Sequence, residues 1–230
     1  MVPDVRVLAI DTATAAAAVA LVSFAPDGSH EVLAQHRHVD PRAHAEVLAP
    51  LVDRMLAEAG LQAADLTAIV AGDGPGPFTG LRVGLATAEA MAQALEIPAY
   101  GVCSLDGIGA ATADEEGTVL VATDARRREI YWALYSEGRR LTEPAVGRPA
   151  DVVPVLAERD VRMAYGEGAL RYRDVLGLRV GEHPTYPEPA VLAVVARERV
   201  AARAPGERLT PRYLRRADAA EPGPRKPVSR

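Results

Sequence analysis

A glycine- and proline-rich segment that leads into a helix constrains this chain most. Residues 72–95 read GDGPGPFTGLRVGLATAEAMAQAL, and the first six contain three glycines and two prolines. No helix or strand interior tolerates that composition, so the segment begins as a loop and continues as a helix. One strip along the helix carries only small residues, at intervals of four: Gly80, Gly84, Ala88 and Ala92.

The strip predicts that another backbone packs very close to the helix. A glycine within a helix costs about 1 kcal/mol relative to alanine, and tight packing is the usual compensation. We therefore predict an interface helix. The preceding loop is either an anion cradle, whose amides bind a phosphate, or a rigid entry that sets the packing angle. The glycines are not followed by Lys and Ser or Thr, so this is not a Walker loop. The residues favour packing.

Length and cysteine content indicate an intracellular protein of modest size. The 230 residues suffice for one large domain or two small ones. Cys103 is the only cysteine, so the chain forms no internal disulfide, which suits a reducing cytosol. No apolar run approaches the roughly 18 residues of a membrane span, and the first residues lack the basic start and cleavage site of a signal peptide. We expect a soluble, cytoplasmic protein that does not bind membranes.

Charge is distributed unevenly along the chain. Residues 197–230 carry ten basic and four acidic side chains, a local charge of +6, and the net charge of −5 therefore leaves about −11 on the rest. A basic end on an acidic body is typical of proteins with an anionic partner, such as nucleic acid or an acidic protein surface. The alternative is a solvated end without a partner. We expect residues 217–230 to be a disordered basic tail.

An internal repeat divides the chain. A shift of 113 residues lays VLVATDARRREIYWALYS over the N-terminal hairpin without a gap. Five identities result, with Ala122, Asp124, Ala133, Leu134 and Ser136 falling on Ala9, Asp11, Ala20, Leu21 and Ser23. Both copies read as a buried strand, an aspartate in the turn and a returning strand. Duplication predicts two related α/β lobes, residues 1–104 and 105–216.

The aspartates of the two turns, Asp11 and Asp124, have two interpretations. Two-lobed phosphotransferases of the actin and sugar-kinase kind place nucleotide phosphates and magnesium at such turns. Each aspartate can instead simply close its own turn through a side-chain hydrogen bond. The second turn lacks glycine, which disfavours close approach of a phosphate there. The candidates for a vestigial nucleotide site are Asp11, Thr12, Gly74 and Gly76.

Catalytic and metal-binding patterns are weak. His36 and His38 alternate on a predicted strand, but His44 lies on the following helix and Leu48 stands at its i+4 position, which disfavours a metal site. Cys103 lacks the pattern of a nucleophile, and no GxSxG elbow is present. We therefore predict no catalytic residue, no metal and no cofactor.

Six motifs occur along the chain in this order: IDTAT, HAEVLAPLV, GPGPFTGLRVGLATAEAMA, IPAYGVCSLDGIG, TDARRREIYWALY and LTPRYLRRADA. Together they resemble the TsaB (YeaZ) family, the dimerisation subunits of the bacterial tRNA threonylcarbamoyladenosine machinery. The resemblance covers residues 5 to about 218, and its GPG-x-FTG string is highly specific. Pro77 stands where serine is commoner in that string, and proline at a helix start is well tolerated.

The resemblance implies a duplicated, actin-like ASKHA (ribonuclease H-like) fold without catalytic activity. The catalytic sister, TsaD, transfers threonylcarbamoyl to the adenosine beside the anticodon of ANN-decoding tRNAs. TsaD holds its metal with two histidines at i and i+4, and the matching positions here are Ser104 and Ile108. Neither side chain can replace an imidazole. TsaE, an ATPase, joins the pair, and tRNA is contacted only indirectly through the complex.

The resemblance also implies that the first two helices, residues 41–59 and 79–95, pair with TsaD. The residues expected at that interface are His44, Leu48, Leu51, Met55, Gly80, Val83, Gly84, Thr87 and Ala88. The same surface predicts a two-fold homodimer of the isolated chain. The alternatives are a stand-alone metallopeptidase of the M22 kind, a small-molecule kinase, or a tRNA-binding module that acts through the basic tail.

Overall fold

The first lobe is built on a mixed five-stranded sheet. The computed structural model describes residues 5–215. The strands of this sheet are β1 (Val5–Asp11), β2 (Ala16–Phe24), β3 (His30–Val39), β4 (Ala68–Gly72) and β5 (Ala99–Val102), in the order β3-β2-β1-β4-β5. The first three form an antiparallel meander, and β4 and β5 continue the sheet in parallel to β1.

Two helices cover one face of this sheet. They are α1 (His44–Glu58) and α2 (Phe78–Leu95), and a short 3₁₀ turn, Ala63–Asp65, follows α1. Apolar residues of α1 recur at helical spacing and pack on the sheet together with Leu81 and Leu85 of α2. Pro50 lies inside α1 on its exposed side, six residues after the helix begins. No helix within residues 5–215 is long and apolar enough to cross a bilayer.

The second lobe is built on a six-stranded sheet. Its strands are β6 (Thr118–Asp124), β7 (Ile130–Ser136), β8 (Arg139–Arg140), β9 (Ala145–Gly147), β10 (Met163–Tyr165) and β11 (Arg179–Val180). They lie in the order β11-β10-β6-β7-β8, and β9 also pairs with β7. The helices of this part are α3 (Asp106–Gly109), the 3₁₀ turn Ala110–Thr112, α4 (Pro149–Glu158), α5 (Glu167–Arg171) and α6 (Arg173–Leu176).

The two hairpins repeat as the sequence predicts. Strands β1 and β6 begin 113 residues apart, and each is followed by an antiparallel partner. Asp11 Oδ1 accepts a hydrogen bond of 3.0 Å from the Ala13 amide, and Asp124 Oδ1 accepts one of 3.1 Å from the Arg126 amide. Each aspartate closes its own turn.

The C-terminal helices return to the first lobe. Helices α7 (Pro189–Val195) and α8 (Arg197–Ala201) pack on the face of the first sheet that α1 and α2 leave open. This second core joins Leu192 and Val200 to Val7, Val70 and Tyr100. The lobes therefore do not divide simply at residues 104 and 105, because the first sheet is apolar on both faces and needs two covers. Residues 217–230, the predicted tail, lie outside the described residues.

Candidate functional site

The glycine loop packs against the turn between β1 and β2. A Cβ atom at Gly72 would overlap the Asp11 carboxylate, and one at Gly76 would overlap the carbonyl of Ala13. Gly74 has a φ of +99°, a conformation that side-chain-bearing residues rarely adopt. Its amide donates a hydrogen bond of 3.1 Å to the Ser104 hydroxyl. These contacts support the packing interpretation of the loop.

The small-residue strip of α2 contacts the same turn. Thr12 Oγ1 accepts a hydrogen bond of 3.0 Å from the Gly84 amide and donates one of 2.8 Å to the Gly80 carbonyl. A Cβ atom at Gly84 would overlap this hydroxyl, and Ala88 is fully buried. The backbone that the strip accommodates therefore belongs to the chain itself. The expectation that Gly84 and Ala88 face a partner is corrected.

Three predicted interface residues of α1 also belong to the core. His44 is 4% exposed, Leu48 1% and Met55 0%. The imidazole Nε2 of His44 lies 3.0 Å from the carbonyl oxygen of Thr14, within hydrogen-bonding distance. The most regular apolar stripe of an amphipathic helix packs on its own sheet, so the expectation that these three contact a partner is also corrected.

The remaining predicted interface residues are partly exposed and lie on α1 and α2. They are Leu51, Gly80, Val83 and Thr87. Two further apolar residues of α2, Met91 and Leu95, are partly exposed at the edge of the same core. We call Leu51, Val83, Thr87, Met91 and Leu95 the helical face. The Thr87 hydroxyl donates to the Val83 carbonyl at 2.8 Å, so this side chain needs no polar partner from outside.

The candidate nucleotide residues are buried. Asp11 and Thr12 are each 1% exposed, and Gly74 and Gly76 are also buried. Burial raises the pKa of Asp11 to about 6, against opposing effects of the nearby Ser104 hydroxyl and the Ala13 amide. Asp11 Oδ2 has no hydrogen-bond partner within residues 5–215. The glycine loop covers this aspartate, which corrects the expectation that it faces a nucleotide.

A polar cleft separates the two lobes. A cavity of about 170 Å³ is lined by Thr14, Ala15, Pro41, Pro77, Asp124, Arg126, Glu167 and Arg171. Asp124 pairs with Arg171 at 3.0 Å and with Arg126 at 3.6 Å. Burial and the nearby charge of Asp124 raise the pKa of Glu167 to about 7. All four charged residues belong to the second lobe, so the cleft places two carboxylates and two arginines against uncharged residues of the first lobe.

The histidines noted in the sequence do not converge. His36 Nε2 lies 2.7 Å from Glu58 Oε2 on α1, whereas His44 faces Thr14. Among the residues that the structure describes, no three metal-ligating side chains form a group.

Comparison with known proteins identifies the family. The family model described as TsaD, tRNA N6-adenosine threonylcarbamoyltransferase, matches residues 31–171. A Bacillus subtilis protein named tRNA threonylcarbamoyladenosine biosynthesis protein TsaB is 31% identical over 225 residues, which cover 93% of this chain and 95% of that protein. The chain belongs to the TsaB (YeaZ) family.

The similarity to the TsaB family extends over both lobes. The solved structure of YeaZ from Pseudomonas aeruginosa is 30% identical, with a TM-score of 0.75 over 91% of this chain and 100% of that one. This agreement confirms the duplicated, actin-like α/β fold. An uncharacterized protein of Mycobacterium leprae is 48% identical over 215 residues, which cover 93% of this chain but only 55% of that longer protein.

The two positions that the sequence resemblance equates with the metal ligands of TsaD have structural roles in this TsaB-family chain. The Ser104 hydroxyl accepts the hydrogen bond from the Gly74 amide, which fixes the glycine loop. Ile108 is fully buried in the second lobe's core. Neither side chain is directed at an open site.

Sequence reasoning missed one surface at the boundary between the lobes. A second cavity, of about 280 Å³, lies between the start of α2, the turn after β6 and the C-terminal segment; its lining includes Phe78, Arg126 and Tyr213. We call Phe78, Arg82, Tyr213 and residues 126–128 the aromatic–arginine face. The run of three arginines was the available signal, but residues 78 and 213 lie too far apart in sequence to indicate a contact.

Proposed function

We propose that this TsaB-family chain is a non-catalytic subunit of tRNA threonylcarbamoyladenosine biosynthesis. It pairs with a TsaD-like transferase, and a TsaE-like ATPase joins that pair. The pathway is the one named for the Bacillus subtilis relative. Because the proposed substrate is tRNA, we expect the chain to act in the cytoplasm. The observation that carries the pairing is the helical face, where apolar side chains of two adjacent helices remain partly exposed.

The helical face suits a partner with a similar pair of helices. Leu51 on α1 and Val83, Met91 and Leu95 on α2 pack partly on their own core and are only partly covered. Helices associate by packing rows of side chains into grooves, at axis separations of about 8–10 Å. A homologous subunit supplies two such helices, and their union forms a four-helix contact with an apolar centre.

The chemical groups of the chain support a non-catalytic role. The carboxylate of Asp11 is covered by the glycine loop. Burial raises the pKa of Cys103 to about 12, so its thiol stays protonated and weakly nucleophilic. The positions of the sister enzyme's metal ligands hold Ser104 and Ile108. We therefore assign the transfer reaction to the partner.

Co-purification tests the pairing. The chain is expressed with the tagged TsaD-like protein of the same organism, and the amount retained is compared with that of Val83→Glu. A carboxylate at this partly exposed position can reach solvent in the free chain but is desolvated in the pair, so we expect at least roughly tenfold weaker pairing. Modified adenosine in tRNA, measured by mass spectrometry in the reconstituted system, falls in parallel.

A control variant and two outcomes make the test decisive. Val175→Glu alters a side chain that is 49% exposed on α6 of the other lobe, and it should pair normally. Normal pairing of Val83→Glu would overturn the assignment of the helical face. Stoichiometric zinc or iron, or ATP turnover by the isolated chain, would overturn the non-catalytic role.

A further inference from the structure

Two exposed aromatic rings are stacked at the boundary between the lobes. Phe78 is 43% exposed at the start of α2, and Tyr213 is 39% exposed in the C-terminal segment. Their ring centroids lie 5.0 Å apart and their planes differ by 20°. Large rings usually bury most of their surface, so an exposed stacked pair is a candidate binding surface for a flat apolar group.

An arginine holds this aromatic pair in place. The guanidinium carbon of Arg82 lies 3.8 Å from the centroid of the Phe78 ring. Arg82 Nε also donates a hydrogen bond of 2.8 Å to the Tyr213 hydroxyl. The two rings and the cation are therefore assembled before any ligand arrives, which lowers the entropy that binding must overcome.

The turn after β6 adds positive charge across the adjoining cavity. Arg126, Arg127 and Arg128 have φ values of 61°, 51° and 63°, a left-handed conformation that is uncommon for non-glycine residues. All three residues are exposed. Three successive residues in this conformation make a compact bend in the backbone.

Acidic groups near this turn are already paired. Asp124 is only 8% exposed and pairs with Arg171 and Arg126. Glu129 forms an ion pair with Arg215. Within residues 5–215, no ion pair is found for Arg128. Among the described residues, the lining of the cavity includes Arg126, Arg127 and Arg215 but no acidic side chain, so positive charge lies beside the two aromatic rings.

We propose that the aromatic–arginine face binds single-stranded RNA. A nucleobase stacks on the rings of Phe78 and Tyr213, and the adjoining phosphates bind the arginines of residues 126–128. Stacking platforms flanked by cations are the general means by which proteins bind unpaired strands. The bases of a duplex are stacked on one another, so they are not available to this face.

The sequence beyond the described residues is consistent with a polyanionic partner. The chain continues from Arg215 with four basic residues, Arg216, Arg225, Lys226 and Arg230, and two acidic ones, Asp218 and Glu221. The choice of RNA, and of tRNA as the biological strand, rests on the proposed function, because the structure itself selects only an unpaired nucleic-acid strand.

Fluorescence anisotropy with the full chain tests this proposal. The probes are a labelled oligoribonucleotide without secondary structure, the same strand in a duplex, and AMP as a competitor. We expect the single strand to bind more tightly than the duplex, and AMP at an equal concentration of bases not to displace it. Phe78→Ala and Tyr213→Ala should each weaken binding by roughly 5- to 150-fold, the range for loss of one base stack. Tyr213→Phe should retain most of the affinity because it keeps the ring.

The arginines are tested through the salt dependence of binding. Each phosphate contact to a single strand contributes about 0.7 to the slope of log affinity against log salt concentration. Arg128→Ala should lower this slope by about one contact. Arg173→Ala is the matched control, because its side chain is 68% exposed on α6 of the same lobe and should not affect binding.

Four outcomes would overturn the proposal: no RNA binding by the unaltered chain, equal binding by the Ala variants with thermal melting unchanged, equal affinity for the duplex, and full displacement by AMP. The last would indicate a site for free nucleotides.

If either Ala variant unfolds, a thiouridine-substituted strand photocrosslinked to the unaltered chain gives the answer, and it must label peptides that contain Phe78 or Tyr213. RNA binding can fail while co-purification with the TsaD-like protein succeeds, and the reverse also holds, so this test and that of the proposed function are separable.

Discussion

The Gly84 amide and the Thr12 hydroxyl are joined by a hydrogen bond of 3.0 Å that spans 72 residues of sequence. The same hydroxyl donates a hydrogen bond to the carbonyl of Gly80. The Gly80 carbonyl and the Gly84 amide are i and i+4 partners in a regular α-helix, so the Thr12 hydroxyl contacts both members of one helical pair. This contact fixes α2 on the first turn of the chain, and it requires that Gly84 have no side chain.

Gly84→Leu should therefore destabilise the fold. Overpacking costs about 1–3 kcal/mol, and the lost hydrogen bond adds about 1 kcal/mol. The gain in helix propensity offsets only about 1 kcal/mol of this. We expect the thermal midpoint, measured by circular dichroism, to fall by several degrees. Ala90→Leu is the control, since Ala90 is exposed on the same helix. The thermal midpoint of this variant should hardly change. An unchanged midpoint for Gly84→Leu would contradict the contact.

Asp11 should make the folded chain more stable in mild acid than at neutral pH. Its pKa is raised from 3.8 to about 6, so the folded chain binds a proton that the unfolded chain releases. Ionising the buried Asp11 lowers the free energy of unfolding. This loss is absent below about pH 4, grows as pH rises through about 6, and amounts to about 3 kcal/mol at neutral pH. Glu167, with a pKa raised to about 7, acts in the same direction.

Asp11→Asn tests this dependence, because it removes one of the carboxyl groups whose pKa is raised by burial. The free energy of unfolding, measured with denaturant from pH 4.5 to 7.5, should change less with pH for the variant than for the unaltered chain. At neutral pH the variant should be the more stable of the two. Asp53→Asn, at an exposed position of α1, should reproduce the unaltered profile. If Asp11→Asn were less stable at neutral pH and its stability changed with pH as that of the unaltered chain does, Asp11 would not be the source of the pH dependence.

The ion pair between Asp73 and Arg212 should contribute measurably to stability. Arg212 binds both carboxylate oxygens, at 3.1 and 3.0 Å, and the Asp73 side chain is only 13% exposed. Arg212→Ala leaves that carboxylate poorly solvated and without its cation, so we expect a loss of roughly 1–3 kcal/mol in chemical unfolding. Arg162→Ala is the control, since Arg162 pairs with Asp160 in the open and should lose less than about 1 kcal/mol. Equal losses would contradict this difference.

The isolated chain should self-associate through the helical face. Light scattering over a range of concentrations is expected to show a two-fold dimer, and Val83→Glu should shift it to monomer. Adding the TsaD-like partner should dissolve the dimer, because both partners compete for one surface. Val175→Glu again serves as the control. A monomer at high concentration would refute the prediction.

Local features of the fold could be predicted from the sequence, because their causes are local. Two buried strands joined by an aspartate turn recur 113 residues apart, and each aspartate bonds the amide two residues later. The small-residue strip of α2 correctly indicated close approach of a backbone. It could not indicate which backbone, because a position without a side chain has no chemical group that selects one neighbour over another.

Contacts between distant segments could not be predicted. Phe78 and Tyr213 stack, and Arg212 binds Asp73, yet no periodicity or motif joins these positions. The turn at residues 126–128 also escaped the sequence argument, which associates left-handed backbone with glycine. Here three arginines adopt it.

The two-sided covering of the first sheet has a consequence for the order in which the molecule can be made. Val7, Val70 and Tyr100 belong to the first half of the chain, whereas Leu192 and Val200, which cover them, emerge from the ribosome only after the strands of the second lobe. The first half therefore leaves the exit tunnel with one apolar sheet face bare. It must wait through synthesis of the whole second lobe before its own core can close, and the nascent chain is most open to aggregation or chaperone capture in that interval.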